Sequence, residues 1–223
     1  MDAPRVLSVQ VGGPQEYEWL GRRLTSSIVK HPVDGPVRAR GVNLDGDDQA
    51  DRAQHGGADK AVYAYAREDE QWWEDQLGRP LLPGGFGENL TTVGLDLARA
   101  VIGERWRVGT AVLQVSEPRT PCWKLGMAMG DKRFPRRFAA ARRTGVLLRI
   151  ATEGVLRAGD AIDVLDRPAH GVTADAVNRV YYGDDRDLAP LYAAPELAAH
   201  WREWADHRTV WHLDEERKRG ETA

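Results

Sequence analysis

Apolar and polar positions alternate at the start of this chain in a way that predicts strands. Arg5 to Val11 sets Val6, Val9 and Val11 against polar neighbours and ends in Gly12-Gly13-Pro14, a strand closed by a turn. Ser26 to Lys30 and Val37 to Leu44 predict further short strands, broken by Pro32, Gly35-Pro36 and Gly41. Lys60 heads another apolar strand running to Tyr65. Arg67 to Leu77 then reads as a helix, with Trp72, Trp73 and Leu77 among acidic residues and Gly78 and Pro80 marking its end. Arg105–Val108 and Ala111–Ser116 form a strand pair around Gly109-Thr110. Val146 to Ala151 and Ala161 to Leu165 supply the last strands, after a helix over Phe134 to Arg143 whose basic face is solvated or faces an acidic partner.

The pattern changes after Arg167-Pro168. Thr173 is placed to cap a helix through Tyr181, and further helices are predicted over Asp187–Ala193 and Pro195–His207. Leu197, Trp201 and Trp204 recur at spacings of four and three and share one face. The expected division is therefore a β-rich α+β domain over 1–168, a three-helix segment over 169–213 and a flexible tail over 214–223. His200 and His207 lie two turns apart without a third ligand nearby, so zinc is not expected there.

Composition narrows the function classes. Among 223 residues, 31 Lys and Arg against 34 Asp and Glu leave a net charge of −3, so no global basic field points to a nucleic acid polymer as partner. A single Cys excludes an intramolecular disulfide and any thiolate-cluster metal site. No stretch of about 18 apolar residues and no signal-peptide core is present, which predicts a protein outside the membrane and in the cytoplasm.

That single thiol, Cys122, lies just past a strand that Pro118 and Pro121 bar from continuing. Arg119 and Lys124 flank it and favour the thiolate, the form that attacks or binds metal. A free Cys is also a small buried hydrophobe, and the residues alone leave both roles open. Upstream, the acidic run from Asp45 fails as an EF-hand loop, because its sixth position is Ala50 rather than Gly. His55-Gly56-Gly57 followed by Lys60 can cradle an anion, or be a turn before a solvated lysine. In the glycine-dense stretch before Leu90, Asn89 can offer its amide to a ligand or tie the turn to itself.

Three ordered motifs carry a resemblance: Gly46 to Tyr65 (GD-QAD-HGG-DKAVYAY), Gly84 to Leu90 (GGFGENL) and Gln114 to Leu125 (QVSEPRTPCWKL). Together they resemble the MOSC family, related to the C-terminal part of molybdenum-cofactor sulfurases, and within it the YiiM-like branch linked to hydroxylaminopurine resistance. The likeness covers about residues 5 to 167, and the helical end resembles the three-helix segment of that branch. It implies a MOSC-type β-barrel with an appended small helical bundle, in which Cys122 ligates molybdenum held by molybdopterin. Lys60, Arg119 and Lys124 then suit the pterin phosphate, with Gly56, Gly57 and Asn89 giving close hydrogen bonds and His55 serving as the catalytic proton donor beside Cys122. Phe86 and Trp123 lie where a ring could stack.

The implied activity is reductive removal of hydroxyl from a small N-hydroxylated substrate. Electrons would come from a separate flavoprotein, since no flavin or nicotinamide motif is visible. Two other functions stay open: a sulfur carrier bearing a persulfide on Cys122, and a non-catalytic binder of an anionic ligand.

Overall fold

The computed structural model describes residues 3–51 and 56–208. Eight strands form its main sheet. In chain order they are β1 (Arg5–Val11), β4 (His31–Pro32), β7 (Val62–Ala66), β8 (Leu90–Val93), β9 (Arg105–Val108), β10 (Ala111–Pro118), β11 (Val146–Thr152) and β13 (Ile162–Asp166). Their spatial order is β13-β9-β10-β11-β7-β8-β1-β4. Among the described residues only β7 and β8 pair in parallel, a register reached because helix α1 (Arg67–Leu77) crosses between them. β2 (Gln15–Trp19) and β3 (Arg22–Ser26) form a separate hairpin, and β5 (Val37–Arg40), β6 (Asn43–Leu44) and β12 (Gly154–Leu156) a small second sheet.

The sheet curls but does not close into the barrel that the sequence suggested. Its ends meet at one isolated bridge, Arg5 to Ala161, flanked by Val6 N–H to Asp160 O and Ile162 N–H to Pro4 O, both 2.9 Å. A continuous ladder between β1 and β13 is missing, so the architecture is an open half-barrel.

Local boundaries follow from local chemistry. α1 ends where Gly78 takes a left-handed φ of 63° and its N–H caps Glu74 O. β10 stops at Pro118, as the missing N–H requires. Ser27 to Lys30 is not strand, and Val37 to Leu44 is two short strands separated by a turn at Gly41 rather than one. Lys60 closes a 3-10 turn, Ala58–Lys60, and the strand begins at Val62. Gly84 and Gly87, at φ 84° and 87°, need glycine twice over: a Cβ would meet Lys30 O at 2.5 Å and Ile28 Cγ1 at 3.0 Å. This pins the glycine-rich loop against the segment carrying Lys30.

Two apolar clusters form. The larger lies inside the curled sheet around Val6, Val62, Trp106 and Leu113. It extends without a break to Val177, Leu191, Leu197 and Trp201 of the C-terminal helices. Those helices are α4 (Ala174–Tyr181), capped by Thr173 Oγ1 as expected, α5 (Ala189–Ala193) and a final helix over 199–208. Together they are a small helical bundle. The second cluster stacks Tyr65, Trp73, Phe86, Phe134 and Phe138 between α1 and two helices after β10, α2 (Trp123–Met129) and α3 (Phe134–Ala141).

Candidate functional site

A cavity of about 690 Å³ opens where the end of β10, the segment after β3, the glycine-rich loop and the tip of α4 converge. Cys122, Arg119, Lys124, Lys60 and Asn89 all line it, so residues far apart in the chain share one wall system. Gly56 and Gly57 do not line it, and His55 lies outside the described residues.

Cys122 occupies the position just before α2, with extended backbone, and its side chain is half-buried. The sequence did not predict this helix. Its first turn tucks Lys124, 8% exposed, beneath Trp123, with Nζ 6.0 Å from the indole centroid and 3.5 Å from Asp51 Oδ2. Trp123 is itself 50% exposed at the cavity edge. Phe86, by contrast, is core, enclosed by Tyr65, Trp73, Phe134 and Phe138.

Arg119 is held differently from the other cations. Its backbone N–H donates to Gly145 O, and its guanidinium lies 5.1 Å over the Tyr63 ring and 5.4 Å over Phe138. Nη1 is buried and finds no hydrogen-bond partner among the described residues. Two positions earlier, Glu117 is 2% exposed and also lines the cavity. Its Oε2 accepts from Trp201 Nε1 at 2.6 Å and contacts His200 Nε2 at 3.1 Å, while Oε1 is buried and unpartnered. A donor and an acceptor are thus left unsatisfied on one wall, although native interiors rarely leave such atoms unpaired.

The opposite wall is fully paired. Asp47 Oδ1 accepts from Gly12 N–H at 2.8 Å and from Lys30 Nζ, and Oδ2 accepts from Asn89 Nδ2 at 3.0 Å. Burial pushes the Lys30 ammonium below its usual range, opposed by the Asp47 carboxylate. Asn89 also donates to Gln10 O and accepts from Tyr63 N–H. Its amide thus braces the fold while Asn89 lines the cavity. Lys30, Asp47 and Glu117 were not singled out in the sequence, because their partners are 17 to 84 residues away.

The basic helix is mostly neutralised: Arg142 pairs with Asp184, Arg143 with Asp69, and Arg137 with Asp131 at 3.6 Å. Arg136 remains exposed beside the cavity.

Comparison with known proteins places this arrangement. The MOSC domain profile matches residues 51–163, the stretch that builds β7 to β11 and carries Cys122. This chain belongs to the MOSC family. Uncharacterized protein YflK of Bacillus subtilis is 37% identical over 199 residues, 89% of this chain and 90% of that one. The crystal structure of YiiM from Geobacillus stearothermophilus superposes with a TM-score of 0.77 at 31% identity, covering 92% of this chain and 98% of its own. A protein named "Reductase" from Gibberella moniliformis is 35% identical over 153 residues, 67% of this MOSC chain but only 27% of the longer fungal protein.

The donor set can be tested against the cofactor that the family name implies. Among the described residues no group of three or more His, Cys, Asp or Glu could hold a bare metal ion. One half-buried thiol beside an unpaired guanidinium and two lysines fits a metal that arrives with its own sulfur ligands and an anionic group. No helix among these residues is long and apolar enough to cross a membrane.

Proposed function

We propose that this MOSC protein binds molybdopterin-held molybdenum through Cys122 and reduces small N-hydroxylated compounds of the hydroxylaminopurine type. The observation that carries the proposal is the convergence of the half-buried Cys122 and the unpaired buried Nη1 of Arg119 on one 690 Å³ cavity. A buried guanidinium nitrogen without a partner costs free energy unless an anion or oxygen acceptor meets it. Lys124 and Lys60 add positive charge, which suits a phosphate. When bound, the cofactor supplies the two-electron redox chemistry. The chain supplies the sulfur ligand and the anion contacts.

The overall reaction is R–NHOH plus two electrons and two protons giving R–NH2 and water, with the N–O bond broken. A separate flavoprotein is the electron source. The exposed Trp123 at the cavity edge offers an indole face for a planar base. Kinship to a protein named "Reductase" supports the reaction class. The cytoplasm is the proposed location.

Metal analysis of protein made in a molybdenum-replete host, followed by turnover with a flavoprotein donor, tests this. Near-stoichiometric molybdenum and reduction of hydroxylaminopurine are expected. Sulfane sulfur on Cys122 without molybdenum would replace this reading with the sulfur carrier. An anion-binding protein with neither would leave Cys122 without a chemical role.

A further inference from the structure

We propose that Glu117 and His200 form a proton-delivery pair, through which the C-terminal helical segment feeds the cavity with protons from solvent. The proposal rests on the reductive reading above, which requires two protons per turnover.

Glu117 is the last residue but one of β10, buried to 2% exposure, yet it lines the cavity. Its two oxygens have different surroundings. Oε2 is fixed by Trp201 Nε1 and touched by His200 Nε2 at 3.1 Å, both from the helix over 199–208. Oε1 is buried and has no partner among the described residues, on a residue that lines the cavity. The His200 side chain is 51% exposed, so its far ring nitrogen is open to exchange with water. One imidazole therefore touches solvent on one side and a buried cavity-lining carboxylate on the other.

The proton balance is simple. Neutral His200 with its proton on Nε2 gives that proton to the Glu117 carboxylate while Nδ1 takes one from solvent, and a ring flip restores the starting tautomer; the carboxyl then rotates, exchanging the oxygen that accepts from Trp201, to present O–H to the cavity. No electron moves. Other charged or titratable groups around this arm of the cavity are Arg119 on the following loop, Tyr181 and Tyr182 at the end of α4, and Lys124 with Cys122 beyond. Burial pushes the Tyr182 phenol up to about 12, which leaves it a poor proton source near neutrality. Packing does not need this contact: Trp201 anchors the helix by itself, 2% exposed in the main core and bonded to the same carboxylate.

The test begins with cofactor-free protein. Infrared titration of wild type from pH 4 to 9 identifies the Glu117 carboxyl band by its loss in Glu117→Gln, and His200→Gln is titrated alongside. If the two groups share a proton, the band's midpoint moves by about half a pH unit or more in His200→Gln; an unchanged midpoint overturns the pair. Should Glu117→Gln fail to fold, Glu-selective isotope labelling identifies the band instead. In the loaded enzyme with a flavoprotein donor, His200→Gln should lower kcat roughly tenfold at unchanged KM, with partial rescue by imidazole buffer. Unchanged kcat overturns delivery through His200. Because the infrared arm uses no cofactor or substrate, failure of the reductase reading is seen separately, as a wild type that binds no molybdenum or reduces nothing.

Discussion

Two walls of the same cavity treat their polar groups in opposite ways. On the wall built by the Lys30 segment and the glycine-rich loop, Lys30 and Asn89 are satisfied by the buried Asp47 behind them and by the backbone of Gln10 and Tyr63. On the wall built by the end of β10, Arg119 Nη1 and Glu117 Oε1 are buried without partners among the described residues. A closed network stabilises the loops that shape a site, whereas unpaired groups are stabilised only when a ligand meets them. The first wall is braced from within, and the second holds the groups that the proposed ligand would meet.

Substitutions on the two walls should therefore separate stability from function. Cys122→Ser should have the largest effect, cutting molybdenum retention and turnover about 100-fold or more because oxygen is a poor substitute for a soft sulfur ligand. Thermal unfolding should barely move, and a fully active serine variant would remove Cys122 from the chemistry. Asp47→Ala acts on the other wall. It strands the buried Lys30 ammonium and the Asn89 amide, and the expected loss is about 3–5 kcal/mol of unfolding free energy in denaturant titration. Normal stability in this variant would erase the contrast between the walls.

Arg119→Met keeps the stem packed on Tyr63 and Phe138 but deletes the charge. Cofactor retention should fall by roughly 10- to 100-fold, the weight of one charge-assisted hydrogen bond, with stability changed by about 1 kcal/mol or less. Lost stability with normal cofactor content would make Arg119 a packing residue.

The smallest effect concerns a buried carboxyl pair behind the scaffold wall. Burial first, and the neighbouring Glu88 second, push Glu70 up to about 8 from 4.5. Burial also raises Glu88, while N–H donation from Gly84 and Phe86 pulls it back, so Glu70 carries the shared proton. The folded state therefore holds a proton that the unfolded chain releases near 4.5, and stability falls as pH rises towards 8. Glu70→Gln should flatten the difference in melting temperature between pH 6 and pH 9. An unchanged difference would show that Glu70 is ionised at both.

Strand and helix periodicity was readable wherever side chains met one core face. α1, β1, β9 and the Thr173-capped α4 fall where the pattern puts them. α2 was missed because seven residues after two prolines offer too little periodicity, and its first turn is fixed by packing of Leu125 into the aromatic cluster. Barrel closure was misjudged because strand patterns report burial, not whether the two sheet edges find a register; here they meet at one bridge.

The site divides along the same line. The sequence by itself determined where the single thiol lies, between Arg119 and Lys124, which is a local fact, and it determined the family through three ordered motifs matched by the MOSC profile. Which polar groups are committed and which are left open was decided only in three dimensions. Asn89 stands beside the motif glycines and reads as a ligand contact, yet its amide is consumed by Tyr63, Gln10 and Asp47. Glu117 stands out in the sequence only as part of the motif around Cys122, yet His200 and Trp201, more than eighty positions later, contact it where it is buried on the cavity wall. Hydrogen-bond satisfaction depends on every neighbour in space, and long-range pairing leaves no periodic trace in the chain.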